Sequence, residues 1–141
     1  MDPRVPSEPL VLRGVLVDGA GEGRRFTALD WVRRRFRDLV GIDLYPGTVN
    51  LRVEAAGDRE ALARLRAAPG IPIPPEPGFC AATAYRVTIR RPGGGDTVPA
   101  AMVVPHVPGY PGDQVELVAA VHVRTALGLY SGDILSITAG H

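Results

Sequence analysis

The first strand-like segment of the chain, Leu10 to Val17, is apolar on both of its faces. Alternate residues of a β-strand point to opposite sides of a sheet. One side of this segment carries Leu10, Leu12 and Leu16, and the other carries Val11, Val15 and Val17. A strand that is apolar on both faces is buried on both, or closes a small barrel. The segment therefore predicts a first strand that is either buried on both faces or part of a small closed barrel.

Further segments alternate in the way that β-strands do, and they are bounded by turn-forming residues. They are Thr48 to Val53, Phe79 to Arg90, Thr97 to Val104, Gln114 to Ala119 and Ile134 to Thr138. Between the fourth and fifth of these, and in two earlier places, the spacing of apolar residues predicts short helices instead. One helix is capped by Thr27 and ends at Gly41, one spans Asp58 to Ala67 with Asp58 as its cap, and one spans Val121 to Leu127.

Helices this few and this unevenly spaced do not build a doubly wound sheet. The pattern instead predicts a mainly β (α+β) fold, a six-stranded β-barrel with about three short helices that plug its ends. Residues 1–9 are proline-rich and are expected to form a flexible tail, and residues 10–141 a single domain. The proline-rich segment Ile71 to Gly78 is expected to be a stiff connector outside the sheet, because proline donates no hydrogen bond to a ladder.

The basic residues are all arginines, and the chain contains no lysine. A P-loop needs a lysine at the transferring phosphate and Schiff-base chemistry needs a lysine amine, so both classes of enzyme are excluded. The net charge of +1 argues against bulk binding to a phosphate backbone. Cys80 is the only cysteine, which excludes an internal disulfide and a cysteine-built zinc site.

No apolar run has the length of a membrane span, and the N-terminal residues lack the apolar core of a signal peptide. We therefore expect a cytoplasmic protein without a membrane partner. The sequence does not determine the oligomeric state, for which a monomer is the expectation. Four arginines lie mostly on the outer face of the first helix, where charged side chains are usually solvated, so nucleic-acid binding there is only the weaker alternative. They are Arg33, Arg34, Arg35 and Arg37.

A glycine-rich stretch follows the first strand. Its residues are Gly19, Ala20, Gly21, Glu22, Gly23 and Arg24. Glycine has no Cβ atom to keep a ligand off the backbone, and its positive-φ conformations let successive N–H groups point into one concavity. The stretch is therefore either a phosphate-binding loop or a connection without a ligand.

Thr48 and Asn50 lie two residues apart on the polar face of the second strand, so their side chains point the same way. A hydroxyl oxygen and an amide oxygen can then converge on one cation, and neutral oxygen ligands suit a magnesium ion that keeps several waters. Such pairs also occur on many exposed strand faces, so this pair alone leaves a metal site and an ordinary surface both open.

The order of the motifs along the chain resembles that of the archaeal-type CTP-dependent riboflavin kinases. The resemblance covers roughly residues 12–138. No single motif is specific, but the set in this order and spacing is. The motifs read Gly19 to Arg24, Tyr45-Pro46-Gly47-Thr48-Val49-Asn50-Leu51, Met102-Val103-Val104-Pro105, Glu116-Leu117-Val118-Ala119, Arg124, and Leu129-Tyr130-Ser131-Gly132-Asp133.

The resemblance implies a cradle-loop-type β-barrel that transfers the terminal phosphate of CTP to the 5′-hydroxyl of riboflavin, giving FMN and CDP, with Mg²⁺ and without a Walker lysine. It implies that Thr48 and Asn50 hold the metal, and that Glu116 contacts the flavin and orients or deprotonates the attacking hydroxyl. The implied flavin side also includes Pro108 and Tyr110. The implied CTP-binding residues are those of Gly19 to Arg24 together with Ala120, Val121, His122, Val123 and Arg124.

The chain departs from the family pattern on the flavin side. Where the family usually carries threonine and histidine, this chain has Pro108-Gly109-Tyr110, and Ala120 replaces a common proline. Tyr110 either stacks on the isoalloxazine ring or takes the place of the histidine, and His106 and His122 remain possible bases. An altered acceptor, or a non-catalytic nucleotide or flavin sensor on the same barrel, is therefore the alternative to a kinase.

Overall fold

The computed structural model describes residues 9–19 and 22–140. Within these residues the strands are β1 Leu10–Val17, β2 Val49–Arg52, β3 Ile71–Ile73, β4 Ala82–Arg90, β5 Thr97–Pro105, β6 Gln114–Ala119 and β7 Ile134–Ala139. The helices are α1 Glu22–Thr27, α2 Asp30–Arg35, a π-helical turn Phe36–Val40, α3 Ala56–Ala67 and α4 Val123–Leu127. Apart from Pro9, the predicted tail lies outside the described residues, and the single domain stays a prediction.

Six of the strands form a closed antiparallel barrel in the order β4-β5-β6-β2-β1-β7. The barrel closes where β7 pairs with β4, with Ile137 opposite Ile89. This arrangement confirms the predicted fold class. In this barrel β1 lies between β2 and β7 and buries Leu12 and Leu16 on one face, whereas Val11 on the other face is exposed, so β1 is a barrel strand and is not buried on both faces.

Two apolar clusters lie on opposite sides of the barrel wall, as the alternation along β5 shows. Ala100 and Met102 belong to one cluster, which also takes in Leu62 and Leu65 from α3. Ala101 and Val103 belong to the other, which takes in α2 and the π-helical turn. The short helices therefore complete packing that the strands begin.

The segment Ile71–Ile73 was predicted to stay outside any ladder, and that prediction is wrong. It forms β3, which pairs antiparallel with β4 as a seventh strand outside the barrel. β3 is an edge strand with one neighbour, where a residue that lacks an N–H is tolerated. Pro72 is exposed while Ile71 and Ile73 are buried, so the proline occupies the outward position.

The helix starts also differ from the predictions. Thr27 was predicted to cap a helix, but it is the last residue of α1, a helix that the glycine-rich sequence did not indicate. The Asp58 carboxylate was predicted to cap α3, but the helix begins at Ala56 and Asp58 Oδ1 accepts a hydrogen bond from the Arg13 backbone N–H at 3.1 Å. A partner on β1 therefore takes the carboxylate away from its own helix.

Three arginines of the α2 region pair with acids of the same chain. Arg33 lies 3.3 Å from Asp43, and Arg35 lies 3.3 Å from Glu76. Arg37 pairs with the adjacent Asp38. Across residues 9–19 and 22–140, no helix is long and apolar enough to cross a membrane.

Candidate active site

The register of β2 against β6 builds the centre of the site. Asn50 lies directly opposite Glu116, and Arg52 lies opposite Gln114. The intervening residues Leu51 and Val115 are buried in the core, so the polar residues share the other face. The side chains predicted to bind the metal and to act on the acceptor are thus cross-strand neighbours, a pair whose Cα atoms are roughly 4.5–5.5 Å apart in antiparallel sheets.

Two cavities meet at this face. The larger, of about 550 Å³, is lined by Asn50 and Glu116 together with residues from the start of α1 and from the β5–β6 loop. The smaller, of about 230 Å³, is lined by Tyr45, His122 and neighbours from β6 and α4. Both share Arg24, Gly47 and Thr48. A molecule in one cavity therefore comes within reach of a molecule in the other beside Thr48.

The side chains of Thr48 and Asn50 lie side by side on one face of the chain, and their role as metal ligands stays a prediction. Asn50 Nδ2 donates to Thr48 Oγ1 at 3.2 Å. Rotating the Asn50 amide by half a turn places Oδ1 beside the hydroxyl, and the orientation of such an amide is assigned from its hydrogen bonds. Two neutral oxygens then face the larger cavity, a donor set that fits Mg²⁺. Among the described residues no cluster of three or more His, Cys, Asp or Glu side chains offers an alternative metal site.

The glycines beside these residues are needed for space. A Cβ atom on Gly19 would fall 2.5 Å from Asn50 Nδ2, and one on Gly23 would overlap Thr48 Oγ1. Neither glycine has a positive φ. The prediction that positive-φ glycines form the loop is therefore wrong at these two positions, where close approach to β2 requires glycine.

The rest of the predicted glycine-rich loop is partly helical. Glu22, Gly23 and Arg24 open α1, so the second half of the stretch is a helix. Ala20 and Gly21 lie outside the described residues. Arg24 is exposed and lines both cavities. The stretch therefore brings the positively charged guanidinium of Arg24 to the junction of the two cavities.

Thr27 connects α1 to the turn that precedes β2. Its buried hydroxyl donates to the Gly23 carbonyl at 2.8 Å and accepts from the Gly47 backbone N–H at 2.7 Å. Tyr45, two residues before Gly47, donates its backbone N–H to the Ala119 carbonyl at 2.8 Å. The turn that precedes Thr48 is thus held from both sides.

Opposite Asn50, the Glu116 carboxylate accepts two hydrogen bonds at the same oxygen. The Tyr110 hydroxyl donates to Oε1 at 2.9 Å, and Gln114 Nε2 donates to it at 2.8 Å. Burial, followed by the neighbouring Glu116 carboxylate, raises the pKa of Tyr110, so its hydroxyl remains a donor. Pro108 is exposed, and neither Pro108 nor Tyr110 is among the described residues that line the two cavities.

The smaller cavity has an aromatic wall. The rings of Tyr45 and His122 lie with their centroids 5.3 Å apart at an angle of 42°. His122 Nδ1 lies 2.6 Å from Thr125 Oγ1. Val121 and Val123 line the same cavity, whereas the exposed Ala120 is not among its described lining residues. The cavity therefore offers two tilted aromatic rings and a run of backbone groups.

Arg124 joins α4 to the end of β1. Its Nη2 donates to Asp18 Oδ1 at 2.9 Å and its Nη1 to Ser131 Oγ at 3.1 Å, while Ser131 Oγ donates to the same Asp18 oxygen at 2.7 Å. The hydrogen bond from Ser131, followed by that from Arg124, lowers the pKa of Asp18. Asp18 also lines the larger cavity. Arg124 thereby connects the walls of both cavities.

A model of the CTP-dependent riboflavin kinase family, CTP-dep_RFKase, described as "Domain of unknown function DUF120", matches residues 16–139. The chain belongs to this family. A riboflavin kinase of Methanopyrus kandleri is 33% identical over 129 residues, which cover 92% of this chain and 82% of that relative. A riboflavin kinase of Ignicoccus hospitalis is 31% identical over 132 residues, covering 93% and 72%.

A third riboflavin kinase, from Methanocella arvoryzae, is 33% identical over 133 residues, which are 91% of this chain but only 56% of that relative. The chain therefore spans about half the length of that member. These matches, together with the family model, confirm the resemblance to the riboflavin kinase family that the motifs predicted.

Several residues of the candidate active site were not singled out from the sequence. Gln114 could have been found, because it shares a strand face with Glu116 in the predicted alternation. Asp18 directly precedes the glycine-rich stretch, but its partners Arg124 and Ser131 are far away in the chain. Tyr45 was assigned only to a turn, and its stacking on His122 has no signal in local sequence.

Proposed function

We propose that this chain is a CTP-dependent riboflavin kinase, which transfers the terminal phosphate of CTP to the 5′-hydroxyl of riboflavin and produces FMN and CDP. The observation that carries the proposal is the pairing of Asn50 with Glu116 in the larger cavity, which shares Arg24 and Thr48 with the smaller one. Phosphoryl transfer needs the donor phosphate and the acceptor hydroxyl positioned in line. Two adjoining cavities with a shared polar boundary suit that requirement, and membership of the family supports the identities of donor and acceptor.

The smaller cavity suits the cytidine end of the donor. Tyr45 and His122 each offer an aromatic ring that a base can contact, and the backbone from Val121 to Arg124 offers groups that can read its edge. Arg24 lies where both cavities meet and can form a bidentate, charge-assisted contact with a phosphate. We therefore assign the terminal phosphate to the neighbourhood of Arg24 and Thr48.

Thr48 and Asn50 are the residues whose side-chain oxygens would hold Mg²⁺. When bound, the ion neutralises charge that develops on the transferring phosphate. The Asn50–Thr48 hydrogen bond keeps the two side chains together, and the amide oxygen of Asn50 would be its ligand to the ion. Gly19 and Gly23 allow the backbone to approach both side chains.

Glu116 is the residue that meets the acceptor in the larger cavity. Its Oε1 is engaged by Tyr110 and Gln114, which fix the orientation of the carboxylate. The carboxylate then orients the 5′-hydroxyl of riboflavin and accepts its proton as the oxygen bonds to the terminal phosphorus and the bond to the CDP oxygen breaks. We prefer Glu116 to His106 for this role, because His106 Nε2 forms a hydrogen bond with Thr83 Oγ1.

The test is FMN formation by the purified protein with riboflavin, Mg²⁺ and, separately, CTP, UTP, ATP and GTP. Product is separated by chromatography and quantified by its fluorescence. We expect FMN with CTP and little with the other nucleotides. Absence of FMN from a protein whose circular dichroism spectrum shows an intact fold contradicts the proposal. FMN formed equally well with every nucleotide leaves a riboflavin kinase and rejects the CTP preference.

The Tyr110–Glu116 hydrogen bond favours a second candidate, a flavin or nucleotide sensor that does not turn over. A carboxylate already engaged by two donors can bind a ribityl hydroxyl without taking its proton. This candidate predicts saturable binding of riboflavin and CTP in calorimetry with no FMN. Robust turnover rules it out. The expected cytoplasmic location, the monomeric state and the absence of a nucleic-acid partner stay predictions.

A further inference from the structure

Arg66, on α3 outside the two cavities, reaches across to the wall of the larger one. Its Nη1 donates to the Pro111 carbonyl at 3.0 Å, and its Nη2 donates to the Gln114 carbonyl. Pro111 and Gln114 both line the larger cavity. One guanidinium therefore holds both ends of the turn that leads into β6.

The same guanidinium covers the Tyr110 ring. Its central carbon lies 5.2 Å from the ring centroid, within the range of a cation–π contact. Tyr110 in turn donates its hydroxyl to Glu116. One face of the ring and its only polar atom are thus already engaged by protein, an arrangement that disfavours the ring as a stacking platform for the flavin.

The position of Arg66 is itself fixed. The Tyr85 hydroxyl, on β4, donates to the Arg66 carbonyl at 2.9 Å and lies 3.1 Å from the Ala68 carbonyl, which anchors the end of α3. Among the described residues Arg66 Nε is buried without a hydrogen-bond partner, which costs free energy. The residue is therefore held against the turn at a cost, and its two carbonyl contacts and the ring contact offset that cost.

We infer that Arg66 and Tyr110 are positioning residues for the acceptor: Arg66 holds Tyr110 and the 111–114 turn, and Tyr110 holds the Glu116 carboxylate toward riboflavin. The inference rests on the proposed function for its substrate. In this arrangement the Tyr110 hydroxyl donates to Glu116 and the Tyr110 ring contacts the Arg66 guanidinium, so the ring is not the surface on which the isoalloxazine stacks. Acceptor binding thereby depends on a helix that does not touch the acceptor.

The first test is Tyr110→Phe, which keeps the ring under Arg66 and removes the hydroxyl. We expect kcat/KM for riboflavin to fall roughly tenfold or more, as for loss of a hydrogen bond to a charged group, with KM for CTP unchanged. Tyr130→Phe, at a tyrosine that is 78% exposed, is the matched control and is expected to match the wild type. An equal loss for CTP and riboflavin, or no loss at all, overturns the role of Tyr110.

A double-mutant cycle shows whether Tyr110 acts through Glu116. If it does, Tyr110→Phe has a much smaller effect in a Glu116→Gln background than in the wild type, because the two residues are in contact. Riboflavin dissociation constants from quenching of flavin fluorescence are the readout, so the cycle does not depend on turnover. Strictly additive effects reject the coupling.

The second test is Arg66→Met, which keeps an apolar stem and removes the guanidinium. Arg64→Met, two residues earlier on the exposed side of α3, is its control. We expect hydrogen–deuterium exchange in a peptide covering residues 110–116 to quicken at least several-fold in Arg66→Met only. Unchanged exchange there overturns the inference whatever the activity of the protein is.

The outcomes separate this inference from the proposed function. A wild-type protein that forms no FMN rejects the kinase, while quickened exchange and weaker riboflavin binding in the variants still support the positioning role. A wild-type protein that forms FMN, with variants that match it in exchange and in kcat/KM, supports the kinase and rejects the positioning role.

Discussion

At the scale of single residues, the two candidate metal ligands carry no charge. Thr48 and Asn50 present one hydroxyl and one amide to the larger cavity, and Glu116 is the neighbouring carboxylate across the strands. A cation held by so few protein oxygens takes the rest of its ligands from water and from nucleotide phosphates. Metal and nucleotide binding are therefore expected to be coupled.

Removing either oxygen is expected to weaken that coupling. We predict that Thr48→Ala and Asn50→Ala each lower turnover by roughly 10- to 100-fold or more, because loss of a supporting group at a metal site already costs that much. Each variant is also expected to need a higher Mg²⁺ concentration for half-maximal activity. Arg34→Ala, at an exposed residue of α2, is the control and is expected to leave both unchanged. Titration of activity with Mg²⁺ is the measurement, and equal effects from all three variants contradict the metal site.

Gly23 tests whether space beside Thr48 matters. In Gly23→Ala the new methyl group overlaps Thr48 Oγ1, so we expect a penalty of about 1–3 kcal/mol as overpacking or as displacement of Thr48. The expected signs are a higher KM for CTP and a lower melting temperature. Gly57→Ala on α3 meets nothing within 4 Å and is expected to stabilise the protein by about 0.4–1 kcal/mol. A fully active Gly23→Ala protein contradicts the close approach.

At the scale of elements, α1 and the start of β2 depend on one hydroxyl. Thr27 accepts from the Gly47 N–H and donates to the Gly23 carbonyl, so it joins two of the glycines around Thr48. The side chain is fully buried. Its loss therefore leaves polar groups unpaired at the junction of the cavities.

Thr27→Val keeps the shape of the side chain and removes the hydroxyl. We predict that it lowers the free energy of unfolding by about 1–3 kcal/mol, the cost of leaving a buried group without its partner. Urea unfolding followed by circular dichroism measures this change. Thr97→Val, at an exposed strand residue, is the control and is expected to change stability little. Identical midpoints for Thr27→Val and wild type remove Thr27 from this role.

The elements differ in how well local sequence predicts them. Alternation placed Leu51 and Val53 in the core and Asn50 on the opposite face, because burial on one side of a strand leaves a period of two. β3 was missed because the proline rule for central strands does not hold for an edge strand with its proline turned outward. α1 was missed because glycines and arginines do not indicate a helix, and the contact of Thr27 with Gly47 that holds it there is non-local.

At the scale of the whole molecule, the site depends on pairings between strands that are distant in the chain. The register that sets Asn50 opposite Glu116 joins two strands that are far apart in the chain, and the pairing of β4 with β7 completes the ring. Alternation placed Asn50 on a polar strand face and the family resemblance singled out Glu116, but neither predicted their pairing, since a period of two is compatible with many registers. The Arg66 contact to Tyr110 was unpredictable for the same reason.

One barrel carrying two cavities leads to a prediction about the stability of the whole fold. A ligand that binds only the native state stabilises it by about 2.7 kcal/mol at roughly a hundred times its dissociation constant. We therefore expect CTP with Mg²⁺, and riboflavin separately, each to raise the melting temperature. His122→Ala is expected to reduce the effect of CTP only, because His122 lines the smaller cavity.

Glu116→Gln is the corresponding variant for the larger cavity, which Glu116 lines. It is expected to reduce the stabilisation by riboflavin and to leave that by CTP close to the wild-type value. Differential scanning fluorimetry is unsuitable with a fluorescent flavin, so calorimetry is the measurement. Both variants losing the response to the same ligand contradicts the assignment of one substrate to each cavity, and loss of both responses in either variant indicates a change in the fold.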